Sequence, residues 1–431
     1  VNVALALSFE KVILATMVRI LITGGTGYLG QHLLNGWEGH ELAYTFNSAD
    51  LPADSMANKA VAFQMNLVDA RAVAAVVSTF LPDVIVHTAA QSSPAASSKD
   101  PKGATAVNAP SSLVDAIKAL PLSAQHPPPL LIYISSDQVF SGSPEAGQHR
   151  PQPYGSDANP APVNAYGASK LAFESMLLRE NKSDGDGPPF PFVVLRSSNM
   201  VGPPAPYTGA TKFLQWLEEK LSVGSCVNSS QGKSDGSPKS AEKEATVGLF
   251  EDEVRSFIHV HDVVKAVRTL VNLWAVEGNK NAVIVATRQT SPSPGAVGGC
   301  GGSNGSGGGG GEKCCSTAAA SALSWRLKGG VYNMGGPQGL SRLGLAHALA
   351  ESRPTECSVV LKDGHTPKVL ATSRAALTSS LGYESPLDIT MDSSKLEVVI
   401  GFAFRPMSKA LAATAATASS NTAASAATTS S

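Results

Sequence analysis

An excess of charge of one sign, long apolar runs and a pairable set of cysteines are what this chain of 431 residues lacks. Its 33 Lys and Arg are balanced by 34 Asp and Glu, for a formal net charge of −1. That balance gives no electrostatic basis for binding nucleic acid or an anionic membrane. No apolar run reaches the roughly 20 residues of a membrane-spanning helix. The five cysteines (Cys226, Cys300, Cys314, Cys315, Cys357) are odd in number, and three lie in or beside a glycine tract. Neither a disulfide framework nor a zinc site fits that spacing, so the chain reads as intracellular, reduced and cytoplasmic. The first 16 residues have apolar character but no basic first segment and no small-residue cleavage site. Met17 is the expected start and residues 1–16 a non-native or flexible leader, with a short transit peptide as the alternative.

What is present is organised around VRILITGGTGYLGQHLL, Val18 to Leu34. An apolar run ends at Thr23, glycines follow at Gly24, Gly27 and Gly30, and Leu29, Leu33 and Leu34 continue at helical spacing. Strand, tight glycine turn and helix together suit a dinucleotide pyrophosphate. Gly24 permits a turn at positive φ, Gly27 lets backbone approach the phosphates, and Gly30 lets helix pack on strand. The free N–H groups at the helix start face an anion.

Downstream, strands and helices alternate, which predicts a doubly wound parallel α/β sheet of the Rossmann type. Strands are expected at Glu41–Phe46, Phe63–Leu67, Asp83–His87, Leu130–Ile134 and Phe192–Leu195. Helices are expected at Ala72–Phe80, Val107–Leu120 (with Asn108 near its start), Ala165–Arg179 and Phe213–Leu221. Further order is expected at Phe257–Val267, Val331–Met334, Ser341–Glu351 and Met391–Ile400. The second strand ends at Asn47 with no acid until Asp50; an acid there selects NAD, so NADP(H) is favoured over NAD(H). Asn66 and Leu67 are placed at the adenine edge, and Thr88, Ala89 and Ala90 are small enough to lie against a cofactor. The division expected is a NAD(P)-binding domain over 17–200 and a smaller substrate lobe over 201–407. Flexible insertions are expected at 222–246 and 291–321, and a disordered Ala/Ser/Thr tail at 408–431.

Tyr166 and Lys170 stand four apart on one predicted helix and share a face. A free tyrosine, with pKa near 10, is a poor acid–base group at neutral pH. The lysine ammonium favours the phenolate and is expected to lower that pKa. Ser136, at a strand's carboxyl end, can hydrogen-bond a carbonyl being reduced. His259 and His261 read as packing or capping residues and Asp262 as a helix N-cap, so no metal site is expected. Trp216 belongs either to the substrate cleft or to the core. Arg255 and Lys212 are candidates for a diphosphate, with solvated surface as the plainer account of each.

TGGTGYLG (Thr23–Gly30), HTAA (His87–Ala90), VN (Val107–Asn108), SSDQVFSG (Ser135–Gly142), NAYGASKLAFE (Asn164–Glu174) and LRSSNMVGP (Leu195–Pro203) resemble the extended short-chain dehydrogenase/reductases. Within that family the chain is most similar to the dTDP-4-dehydrorhamnose reductase branch, which also contains the regulatory β subunit of methionine adenosyltransferase. YNMGGPQGLSR (Tyr332–Arg342) and SPLDITMDSSKL (Ser385–Leu396) extend the likeness. The resemblance implies that Ser136, Tyr166, Lys170 and Asn108 are catalytic. It implies that Gly24, Thr26, Gly27, Tyr28, Leu29 and Gly30 hold the pyrophosphate, joined by Asn47, Asn66, Leu67, Ala89 and Ala90, with Tyr166 and Lys170 also meeting the cofactor. Gln138, Ser198, Asn199 and Trp216 are the expected substrate contacts. The implied reaction is hydride transfer from NADPH to C4 of a dTDP-4-keto-deoxysugar, with Tyr166 protonating the oxygen. The alternative is an NADP-binding regulatory subunit that partners the methionine adenosyltransferase catalytic subunit. Two departures stand out: Gln138 replaces the branch's usual tyrosine, and Asn66 replaces an aspartate near adenine.

Overall fold

Apolar runs without polar alternation form strands buried on both faces, and in this chain they assemble into a parallel sheet. The computed structural model describes residues 17–35, 37, 39–52, 60–121, 123, 127–142, 153–180, 191–222, 246–278, 330–353, 368–374 and 382–415. The chain runs β1 (Arg19–Thr23), α1 (Tyr28–Leu34), β2 (Glu41–Phe46), β3 (Val61–Gln64), α2 (Ala70–Phe80) and β4 (Val84–His87). Helices α3 (Pro94–Lys99), α4 (Pro101–Asn108) and α5 (Ser111–Lys118) precede β5 (Leu130–Ser136) and a 3₁₀ turn at Asp137–Val139. Then come α6 (Ala165–Glu180), β6 (Phe192–Ser197), β7 (Met200–Val201), α7 (Phe213–Leu221), β8 (Thr246–Phe250), β9 (Ile258–His259) and α8 (Val260–Gly278). The last elements are β10 (Gly330–Met334), α9 (Arg342–Ser352), β11 (Lys368–Thr372), α10 (Ser394–Ile400) and α11 (residues 407–415).

Seven strands form one sheet in the order β10-β6-β5-β4-β1-β2-β3, every pair parallel. The chain winds outward from β1 through β2 and β3, then crosses to β4 and winds the other way. The carboxyl ends of β1 and β4 are therefore the switch point, where such sheets bind ligands. Alternate residues feed opposite faces. Ile20, Ile22, Val84, Val86, Leu130 and Ile132 pack under α1, α8 and α10. Leu21, Ile85, Leu131 and Tyr133 pack under α2, α5 and α6. Fully buried Leu33 and Leu113, one per face, each contribute roughly 1.5–3 kcal/mol by leaving water.

The expected division at residue 200 does not match the packing. β10 pairs with β6 along its whole length, and α8 packs into the main core through Val263, Val267, Leu270 and Val271. What remains as a separate cluster is β8, β11, α7, α9 and α11, joined through Leu214, Leu217, Leu249, Leu345, Leu349 and Leu411. The expected tail also begins too early. Residues 407–415 are helical, and Ala410 and Leu411 are fully buried.

The single helix expected over Val107–Leu120 is two. Pro110 has no N–H to continue the ladder and instead serves as N-cap of α5, which puts Asn108 at the end of α4 rather than the start of a helix. α3, capped by the Ser93 side chain, has no counterpart among the expected elements. Residues 1–16, 223–245, 291–321 and 416–431, and all five cysteines, lie outside the described residues. Among the described residues no helix is long and apolar enough to cross a membrane, and none form a group of three or more metal-ligating side chains.

Candidate functional site

The switch point opens into a cleft of about 790 Å³, within the range of small-molecule and cofactor sites. Its floor is the glycine loop. Gly24 has φ of +71°, and a Cβ there would lie 2.7 Å from the Ala89 Cα. A Cβ on Gly30 would overlap the Gly24 carbonyl oxygen. The loop is thus pressed against the Thr88–Ala90 segment by residues with no side chain to spare. Thr88 fixes that approach by donating its hydroxyl to the Thr23 carbonyl at 2.6 Å.

Gly24, Thr26, Gly27, Tyr28, Leu29 and Gly30 all line the cleft, as do Asn47, Asn66, Leu67, Ala89 and Ala90. Ser136, Gln138, Tyr166, Lys170, Ser198 and Asn199 line it too. Two expected residues do not. Asn108 is fully buried behind the wall, where its amide accepts from Gln91 N at 2.7 Å and donates to Gln91 O and Ser169 Oγ. Because Ser169 donates to the Tyr166 carbonyl at 2.7 Å, Asn108 braces α6 and the Gln91 loop rather than facing a ligand. Trp216 is 41% exposed and stacks on Phe213 at 5.4 Å, outside the cleft and outside the core.

Three cations, Lys170, Lys212 and Arg342, line the cleft, and among the described residues no carboxylate does. Lys212, a candidate for a diphosphate with solvated surface as the plainer account, has its Nζ 5.5 Å from the Tyr28 ring centre. Arg342 was missed, although it sits two residues beyond Leu340 at the start of a legible helix. Arg255 is no surface residue: it is buried, and its guanidinium donates to Val254 O, Leu387 O and Pro386 O. Asp50, the first acid after β2, is turned away and accepts from Tyr44 Oη at 2.6 Å.

The reactive residues sit at the ends of buried elements. Ser136 closes β5, and its Oγ donates to Asp137 Oδ1 at 3.1 Å while accepting from Gln138 N. Asn164 donates to Gln138 Oε1 at 2.9 Å, which fixes the amide that replaces the expected ring. Tyr166 hydrogen-bonds Ser136, which favours the phenolate, but burial outweighs that and pushes the phenol up to about 12. Burial likewise lowers Lys170 to about 7 against the raising influence of Glu174. The sequence expectation of an ammonium lowering the tyrosine is corrected here: desolvation disfavours the charged form of both groups. Behind them Lys170 Nζ lies 4.4 Å from the Tyr133 ring centre. Glu174, fully buried, pairs with Arg196 at 2.8 Å and accepts from Ser135.

His259 is buried, accepts from His261 N through Nδ1, and meets Thr414 Oγ1 at 2.9 Å through Nε2. Asp262 lies in the first turn of α8 and is held by Arg405 at 2.7 Å instead of capping the helix.

Comparison with known proteins places this geometry among relatives. The methionine adenosyltransferase 2 subunit beta of Pongo abelii is 35% identical over 168 residues, which is 38% of this chain and 43% of that protein. The chain thus spans less than half the length of the curated relatives of this kind that it matches. A dTDP-4-dehydrorhamnose reductase from Bacillus anthracis str. Ames, solved in complex with NADP, superposes with a TM-score of 0.56 at 18% identity, covering 92% of this chain and 97% of that one. The UDP-glucose-4-epimerase of Stenotrophomonas maltophila, with bound NAD, gives 0.57 at 18% identity over 94% and 99%. The model of the NAD dependent epimerase/dehydratase family matches residues 20–286, well over half of the chain, and the chain belongs to that family.

Proposed function

We propose that this chain is an NADP(H)-dependent reductase of a nucleotide-linked 4-keto-deoxysugar. One observation carries the reading: Ser136, Tyr166 and Lys170 share a single cleft with the glycine loop, and among the described residues that cleft has cations and no carboxylate. The fit to a dinucleotide rests on the cradle itself, since a Cβ on Gly24 or Gly30 would fill the space between loop and neighbouring backbone. The nicotinamide group supplies the hydride when bound. Gly27, Tyr28 and Leu29 would hold the pyrophosphate, with Lys212 beside Tyr28 as counter-charge. A nicotinamide cofactor is the coarser part of the reading. The preference for NADP(H) rests on Asn47 at the end of β2 and on Asp50 being occupied by Tyr44.

Chemistry at the far end of the cleft falls to this chain's own side chains. Ser136 would turn its one hydroxyl proton from Asp137 to the substrate carbonyl and hold the carbonyl in line. Tyr166 gives its phenolic proton to the oxygen as charge develops there. Lys170 stabilises the resulting phenolate and anchors ribose hydroxyls. Gln138, Ser198 and Asn199 bound the side where a sugar would lie, and Arg342 adds a positive charge for its diphosphate. A cytoplasmic location belongs to the same reading and rests on cysteine usage.

A second reading is favoured by a separate observation, the 35% identity to methionine adenosyltransferase 2 subunit beta. It makes the chain an NADP-binding regulatory subunit whose partner is the catalytic methionine adenosyltransferase. NADPH oxidation with a dTDP-4-keto-6-deoxysugar separates the two. Turnover that falls about 10²–10⁴-fold in Tyr166→Phe with NADPH affinity kept supports the reductase. NADPH binding without turnover, together with capture of the catalytic subunit, supports the regulatory reading.

A further inference from the structure

A second cavity, of about 420 Å³, lies between α1 and α8 on the outer side of the sheet. Its walls come from two helical stripes. His261, Lys265, Arg268 and Asn272 follow one another at spacings of four, three and four along α8, and His32 and Asn35 lie one turn apart at the end of α1. Among the described residues that line it, only Val264 is apolar and none is acidic. Lys265 and Arg268 supply the positive charge of the cavity, while burial lowers the pKa of both histidines and leaves them neutral hydrogen-bonding rings at neutral pH.

The cations are placed rather than loose. Lys265 Nζ lies 4.0 Å from the Phe402 ring centre, and Arg268 Cζ lies 5.5 Å from that of Trp37. Each ring fixes its cation without neutralising it. Among the described residues neither cation forms an ion pair. The nearest acid in sequence, Asp262, is taken by two bonds from Arg405. His32 lines the same cavity but is only 4% exposed, and its ring hydrogen-bonds the Pro203 backbone. Its ring meets His261 edge-on at 5.7 Å.

We propose that the cavity between α1 and α8 binds a small phosphorylated molecule, with its phosphate or diphosphate group held by Lys265, Arg268, His261 and His32. Arg268 offers the paired N–H geometry that phosphate oxygens accept. Lys265 adds a point charge, and Asn35, Thr269 and Asn272 add neutral hydrogen-bonding capacity around the remainder. The site is separate from the cleft but shares a helix with it: the His32 ring meets the Tyr28 ring edge-on at 4.9 Å, and Tyr28 lines the cleft.

The test is a titration of the full chain, carrying ¹³C-labelled histidine, with pyrophosphate and in parallel with inorganic phosphate. His32 and His261 signals are assigned from His32→Gln and His261→Gln. The expected result is a saturable shift of both signals. Apparent affinity should fall at least about tenfold in Lys265→Ala/Arg268→Ala and change less than about twofold in the cleft variant Lys212→Ala. If pyrophosphate binds and phosphate does not, the ligand carries a diphosphate; the reverse order assigns a monoester. Absence of a saturable shift with either anion overturns the proposal. So does a shift that survives the double variant and vanishes in Lys212→Ala, which would place the anion in the cleft. If the double variant does not fold, Thr269→Asp sets a carboxylate into the same wall and must abolish the shift by itself.

Discussion

Ser198 donates its hydroxyl to Asp137 Oδ2 at 2.8 Å, tying the end of β6 to the turn that follows β5. The other carboxylate oxygen of Asp137 takes the Ser136 hydroxyl, so one buried acid sets two hydroxyls of the cleft. Burial raises the Asp137 pKa, while Arg255, Ser198 and Ser136 work against it. Asp137→Ala should therefore act through orientation. The kcat for sugar reduction should fall roughly tenfold to a hundredfold, since misplacement of a catalytic group by about 1 Å can cost that much, with NADPH affinity changed less than about threefold. Equal loss in binding and turnover would show a collapsed cleft instead.

Lys170 gives a pH dependence of stability with a defined direction. Its folded pKa is lowered to about 7 from 10.5. Between those values the unfolded chain holds a proton that the folded one has released, so stability rises with pH across that window. Below about pH 7 both states are protonated and the folded state bears the full cost of a buried charge. Lys170→Met should thus be more stable than the parent at pH 6, and the gap in Tm should narrow steadily towards pH 10. A gap independent of pH would mean that the ammonium is not desolvated.

The glycines are not equivalent. A Cβ on Gly27 would sit 3.2 Å from the Gly24 carbonyl oxygen, a distance small shifts can relieve, whereas on Gly30 it would overlap that oxygen and lie 2.7 Å from the Gly25 Cα. Gly30→Ala should lower stability by about 1–3 kcal/mol through backbone displacement and weaken NADPH binding more than about tenfold. Gly27→Ala should do less on both counts. Urea midpoints and a fluorescence titration measure the two effects, and identical values would refute the ranking.

The helix at residues 407–415 supplies a fourth test. Leu411 is fully buried against the cluster of α7, α9 and β8, and Thr414 reaches His259. Leu411→Ala should cost about 2–5 kcal/mol, as for other buried leucines. A loss within about 0.5 kcal/mol, the range of ordinary surface changes, would return this segment to the status of a tail.

Part of this geometry is legible in the sequence and part is not. The glycine loop, the strands of the sheet and the Tyr166–Lys170 pair are local patterns whose spacing alone carries the geometry. The place of β10 is not local. Val331 pairs with Val194, and nothing near either residue encodes that meeting. Leu411 was hidden among alanines and threonines, where low complexity masked the four-residue spacing from Met407. Neither account that the sequence offers for Arg255, a diphosphate contact or solvated surface, holds, because its burial depends on carbonyls more than a hundred residues away. Pro110 and the Ser93–Pro94 cap are local signals, since a proline between Asn108 and Ser111 breaks a helix and Ser93 opens one. The pKa of Tyr166 needed the cleft's depth, which no spacing reports.

The position of β10 also bears on how the protein is made. β6 is buried along its whole length, and among the described residues one of its edges is closed by β10 alone, which follows roughly 130 residues later in the chain. At about 5–20 residues per second of synthesis, that edge stays open for several seconds to half a minute on the ribosome. An unpaired apolar strand edge is a template for intermolecular pairing. Yield in a cell should therefore depend on chaperone supply and growth temperature more steeply than the stability of the finished sheet would suggest.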